Sequence, residues 1–272
     1  MRGPLRLLAH SLRRARTLVL AMGLLLGSFQ LVLILVARSI HNSGGFEQLS
    51  ALLPPFVREI MGPAFASFMS FAGIVCVGYF HLAVMSSLIA VSIALATTPT
   101  AEIESGFIDL ILARPLARHW IITRSIILAV LSTAILLVMM MTGTWLGLIT
   151  LGPTNAQWPT ANLITSLVEN LGLLMLSWSA IAMAIGAASR RRAIAGALAG
   201  FLALGTFLLD YVGRLWKPAE AVAWLSPFRY YTPFELIMGN PLPAKHLEVL
   251  AGIAVVGFAA AYFLFARRDI AH

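Results

Sequence analysis

The sequence predicts an all-α integral membrane protein: six transmembrane helices, both termini in the cytoplasm, and an amphipathic surface helix at the N-terminus. Three observations predict it. Of 272 residues, 60% are apolar and only 11% charged, with a mean hydropathy of +0.89; a soluble domain is roughly 45–50% apolar and about 25% charged. Long uncharged stretches recur along the chain. Lysines and arginines crowd alternate connections between them. This composition excludes a soluble enzyme, a disordered chain or a free nucleic-acid binder. The net charge of +8 is therefore read as a topology signal rather than as a nucleic-acid signal. Cys76 is the only cysteine, so no internal disulfide and no cysteine-based zinc site can form.

The expected spans run approximately over 17–37, 70–97, 122–150, 163–188, 193–213 and 247–266. A helix needs about 20 apolar residues to cross ~30 Å of hydrocarbon. The first follows Arg2, Arg6, Arg13, Arg14 and Arg16, but its apolar run is longer than the core of a signal peptide and lacks a small-residue cleavage site. It is read as a retained span. Leu5, Leu8 and Leu12 recur at helical spacing among those arginines, the pattern of a helix lying on the membrane surface; the alternative is a disordered basic tail. Glu169 alone interrupts the fourth span. Asp210 shortens the fifth, which continues through Gly213 with Asp210 at the interface. No connection is long enough for a separate soluble domain, so residues 1–272 are expected to form one transmembrane domain without internal repeats.

Orientation follows from charge. Thirteen Lys and Arg fall on the side of the N-terminus, the connection after the second span, the connection after the fourth span and the C-terminus, against six on the other side. The positive-inside rule places both termini in the cytoplasm.

The connection after the second span, residues 98–121, is organised beyond the needs of a linker. Glu102 and Glu104 precede Gly106. Phe107, Ile108, Leu110, Ile111 and Leu112 form an apolar patch around Asp109. Arg114-Pro115 stops that element, because a residue before proline is pushed out of the α region, and a helix restarts from Leu116 with Arg118 near the membrane. Such a piece either offers an apolar knob to a cytoplasmic partner or re-enters the interface with no partner. The residues alone leave both open.

The stretch EIESGFIDLILARPLAR, 102–118, resembles the cytoplasmic signature of type-2 ATP-binding-cassette (ABC-2) permeases. Glu104, Gly106, Leu112, Pro115 and Arg118 stand at the matching positions, and Arg124 matches a basic residue that often follows. LSPFRYY, 225–231, looks like the family's outer segment between the fifth and sixth spans. The resemblance implies the permease subunit of an ABC exporter, a dimer with a second permease copy or paralogue, served by two cytoplasmic ABC ATPase subunits. It implies a coupling helix over 103–114 that docks on the ATPase. Its expected residues are Glu102, Glu104, Gly106, Phe107, Leu110, Ile111, Arg114, Pro115 and Arg118. Glu102 or Glu104 would pair with a basic group there or cap the helix, and Arg118 would anchor to lipid phosphate or to the region of the arginine-bearing surface helix. Segment 214–246 would form a re-entrant outer hairpin; its aromatics and prolines equally suit an interfacial loop.

The chain lacks a phosphate-cradling G-x-x-x-x-G-K-[ST] loop. ATP and Mg are thus expected on the partner ATPase, with no cofactor and no metal on this chain, and no catalytic residue of its own. His81 and Glu169 are the candidates for a polar translocation path; each also suits a packing or interfacial role. Gly196, Gly200 and Gly205 allow close helix approach, and the resemblance places that span beside the partner subunit. Two other functions compete with export: an ion-coupled secondary transporter using His81 and Glu169, against which stand the lack of a clear repeat and of a pair of broken helices, and a membrane scaffold in an ATPase-driven maturation complex. A membrane-embedded lipid enzyme lacks a catalytic cluster. The expected location is the bacterial inner membrane, since outer-membrane proteins are barrels.

Overall fold

A computed structural model describes residues 2–45, 67–107 and 119–267. Among the described residues every regular element is helical. Six helical stretches are long and apolar enough to cross a membrane, and the chain is a multi-pass membrane protein. In order, the elements are α1 (Arg2–Asn42), α2 (Phe71–Phe80), α3 (Leu82–Ala96), α4 (Thr98–Glu104), α5 (His119–Leu151), α6 (Ala161–Ala188), α7 (Arg192–Leu215), α8 (Lys217–Ala223), a 3-10 turn (Pro227–Tyr230), α9 (Pro233–Ile237) and α10 (Ala244–Arg267).

The spans sit over the six apolar stretches. α1 is one uninterrupted helix of 41 residues, about 60 Å long at ~1.5 Å per residue, roughly twice the hydrocarbon thickness. One feature differs from the sequence reading: the second span is discontinuous, α2 ending and α3 beginning at His81, whose backbone (φ −58, ψ 131) is extended.

Two parallel helix pairs form the frame. α1 packs along α5 through small residues: a Cβ on Gly143 would stand 2.6 Å from the Gly27 carbonyl oxygen, and Gly147 faces Ile34 and Leu31. Gly23 and Gly27, and Gly143 and Gly147, share the four-residue spacing that brings membrane helices together by van der Waals packing. α6 packs along α10, where Gly257 meets Ala180 and the Ser177 hydroxyl donates 2.8 Å to the Leu250 carbonyl. The most buried side chains, Trp178, Tyr79, Leu136, Met140 and Ile164 among them, lie where α2, α3, α5 and α6 converge. α7 stands outside this frame. Phe201, Leu198 and Leu204 on it are more than half exposed, and Gly196, Gly200 and Gly205 have no neighbour within 4 Å of where a Cβ would point.

Candidate functional site

The two ends of the bundle differ. At one end Thr100 meets Gly186, Arg124 meets Ser11 and Arg192 meets Glu104; at the other His41 meets Asn155, Asp210 faces Arg229 and Thr232 faces His246. The first end is built around α4. This helix begins directly after Thr97, with Pro99 in its first turn, where a missing N–H costs nothing. It stops at Ser105 and Gly106. Gly106 adopts φ +69, the left-handed conformation that closes helix ends and that glycine takes without a Cβ penalty. Phe107 follows, partly exposed, its ring stacked 6.4 Å from that of His10 on α1.

Short as it is, α4 is fastened to three other helices, and through Arg124 to a fourth. Glu102 is buried, and its carboxylate pairs with the buried Arg124 guanidinium of α5. Arg124 also donates 3.3 Å to the Ser11 hydroxyl of α1. The Thr100 hydroxyl donates 2.9 Å to the Gly186 carbonyl of α6. Glu104 accepts from the backbone N–H of Arg192, 2.9 Å, at the start of α7, where a carboxylate satisfies an orphan donor and opposes the positive end of the helix dipole. The Arg192 side chain reaches back to the Ala94 carbonyl, 3.1 Å. Pro99, Thr100 and Ile103 pack among Ile122, Met183 and Phe265.

Of the coupling residues named from the sequence, Glu102, Glu104, Gly106 and Phe107 thus gather at this end. Glu102 faces inward onto Arg124, while Glu104 and Phe107 are exposed. Leu110, Ile111, Arg114, Pro115 and Arg118 lie outside the described residues. His81 and Glu169 are not brought together. His81 sits at the break, exposed, its ring 5.4 Å from Phe29. Glu169 is exposed in the first third of α6.

The break is stabilised by side chains. In an unbroken helix the Ala83 N–H would meet the Tyr79 carbonyl. Instead Ala83 donates to the His81 Nδ1, 3.3 Å, and the Tyr231 hydroxyl donates 2.9 Å to the Tyr79 carbonyl. The Tyr79 hydroxyl in turn meets the Thr144 hydroxyl at 2.8 Å. Burial pushes the Tyr231 phenol above its ordinary pKa, keeping it a neutral donor.

Beside Glu169, Asn170 is fully buried and holds the segment between α8 and α9. Its Nδ2 donates 3.1 Å to the Tyr230 carbonyl, and its Oδ1 accepts from the Thr232 N–H, 3.2 Å. Asp210, mostly buried at the end of α7, pairs with Arg214 at 3.0 Å and faces Arg229 at 3.8 Å; Arg229 also reaches Glu220 at 3.6 Å. Sequence reasoning missed Ser11 and Thr100, which carry no pattern of their own, and took Tyr231 only as part of the LSPFRYY stretch, without its bond to the break. Arg124 did carry a signal: a charge inside an apolar helix must find a partner. Among the described residues, no group of three His, Cys, Asp or Glu side chains is placed to hold a metal.

No protein-family model matches the chain, and comparison with curated proteins gives no match.

Proposed function

We propose that the chain is the membrane permease of an ATP-driven exporter, with ATP and Mg bound by separate cytoplasmic ATPase subunits and the permease acting with a second copy or paralogue. The reading rests on one observation above the others: α4, at the threshold of the signature stretch, is tied to α5, α6 and α7 at once, and Arg124 carries the link on from α5 to α1. A push on the 103–114 segment, delivered by a docked ATPase, therefore reaches three spans directly and a fourth through Arg124, by short, largely buried polar links. Phe107 is exposed and begins the contact, which by the signature continues over Leu110 and Ile111 and closes at Arg114, Pro115 and Arg118. Both termini and the arginine-rich start of α1 lie in the cytoplasm, as the charge asymmetry requires, and the membrane is the bacterial inner membrane. The segment 214–246 is the outer hairpin.

The test is ATP hydrolysis in lipid nanodiscs. The ATP-binding-cassette ATPase encoded nearest the chain is measured alone and with the permease. Hydrolysis that changes on adding wild type, and does not change on adding Phe107→Asp or Leu110→Asp, supports the reading. Equal rates in all cases remove it.

One observation favours the second reading, an ion-coupled carrier. The second span is discontinuous at His81, and broken helices form the ion and substrate sites of many carriers. Proton uptake into proteoliposomes that His81→Ala abolishes, with no ATPase present, would support the carrier.

A further inference from the structure

We propose that the groove between α3 and α7 binds one anionic phospholipid, drawn from the leaflet at the Arg124 end of the bundle. Two adjoining cavities form this groove. The one near the end of the bundle, about 590 Å³, is lined by Thr97, Glu104, Arg192 and Gly196. The deeper one, about 220 Å³, is lined by Leu82, Ser86, Leu204, Phe207 and Phe228. Ala90, Ile93 and Gly200 line both, so the two are continuous.

Its dimensions are those of a leaflet. From Thr97 to Leu82 is fifteen residues of helix, roughly 22 Å at 1.5 Å per residue. Half a bilayer with its headgroups is about 20–22 Å. The groove is open along its side, where Leu82 is 61% and Leu204 is 55% exposed, and the Phe207 and Phe228 rings pack edge to face at its deep end, 5.4 Å apart. The shaft offers a ligand no spare donor: the Ser86 hydroxyl is spent on the Ala83 carbonyl, 3.1 Å. An acyl chain is the ligand such a shaft takes.

The mouth selects the headgroup. Arg192 lines the mouth, its guanidinium donating to the Ala94 carbonyl. Among the described residues lining the mouth Glu104 is the opposing charge, and it offsets Arg192. Arg190 and Arg191, exposed and directly before Arg192 in the chain, add two further positive charges. The balance is positive, which attracts a phosphodiester without a compensating cation. The inference rests on the membrane placement of the helices and on no ATPase, so it stands or falls separately from the export reading.

Native mass spectrometry of the full chain in mild detergent tests it, with dioleoyl phosphatidylglycerol and dioleoyl phosphatidylcholine supplied in equal amounts. Wild type is expected to retain one phosphatidylglycerol per chain in preference to phosphatidylcholine. Arg192→Gln should lower that preference about fivefold, the effect of one basic residue near a membrane surface. Glu104→Gln, which keeps an acceptor for the Arg192 N–H, should raise it. Gly200→Leu, at a position with nothing within 4 Å of an added Cβ, should fill the shaft without disturbing the fold and remove the retained lipid. Equal retention of the two lipids by wild type, or undiminished phosphatidylglycerol in Gly200→Leu, overturns the proposal. So does a dimer that retains no lipid, which would assign the groove to the second copy.

Discussion

The Tyr231 hydroxyl donates a 2.9 Å hydrogen bond to the main-chain carbonyl of Tyr79, 152 residues earlier in the chain. That carbonyl is one of those released where the second span breaks at His81. In hydrocarbon an unpaired backbone group costs several kcal/mol, so the segment carrying Tyr231 and the break stabilise each other. Tyr231→Phe keeps the ring and removes the donor. It should destabilise the protein by ~1–3 kcal/mol, the cost of an orphaned buried acceptor. The thermal unfolding midpoint in detergent reads this, and no change would mean that the carbonyl finds another partner.

Arg124 and Glu102 form a buried ion pair, each side chain under 5% exposed. Removing one partner strands the other charge. Arg124→Met alone should cost ~3–5 kcal/mol, whereas replacing both groups by apolar ones should cost less than the two single changes combined. A double-mutant cycle on unfolding midpoints checks the coupling; additive effects would contradict it.

The α1–α5 seam depends on glycine. At Gly143 any side chain meets the Gly27 backbone, so Gly143→Leu should force the helices apart at a cost of ~1–3 kcal/mol or more. Gly196→Leu, on an open face, should stay within about 0.5 kcal/mol of wild type. Expression level and monodispersity in detergent separate the two. Equal behaviour would place the seam elsewhere.

Neighbouring residues on α6 should differ sharply. Asn170→Leu orphans the Tyr230 carbonyl and the Thr232 N–H, ~1–3 kcal/mol for each group. Glu169→Gln touches an exposed side chain and should be silent to within about 0.5 kcal/mol. Limited proteolysis at Arg229 and Lys245 is the readout: faster cleavage in Asn170→Leu, unchanged in Glu169→Gln.

Much of the fold was legible because apolar run length and charge depletion are cumulative signals. Six spans emerge from composition even though Glu169 and Asp210 interrupt two of them. The break at His81 was not legible, because neither proline nor glycine marks it. It exists through the His81 imidazole accepting from Ala83 and the Tyr231 hydroxyl arriving from far along the chain. The first-end assembly was half legible. Glu102, Glu104 and Gly106 stood out as residue types, but Glu102 turns inward to Arg124, while Glu104 caps a helix 88 residues away. Asn170 was overshadowed by its charged neighbour, since a single polar residue in a span does not declare which face it occupies. The helical phase does: Asn170 is buried and Glu169 exposed.

The most direct measurement of the central claim is co-purification. The chain is expressed with its neighbouring ATP-binding-cassette ATPase, extracted in mild detergent and captured by a tag on the permease. The account predicts that the ATPase follows wild type and Glu169→Gln, and is lost with Phe107→Asp and Leu110→Asp while the permease itself stays monodisperse. An ATPase that fails to follow wild type, or that follows all four chains equally, would contradict it.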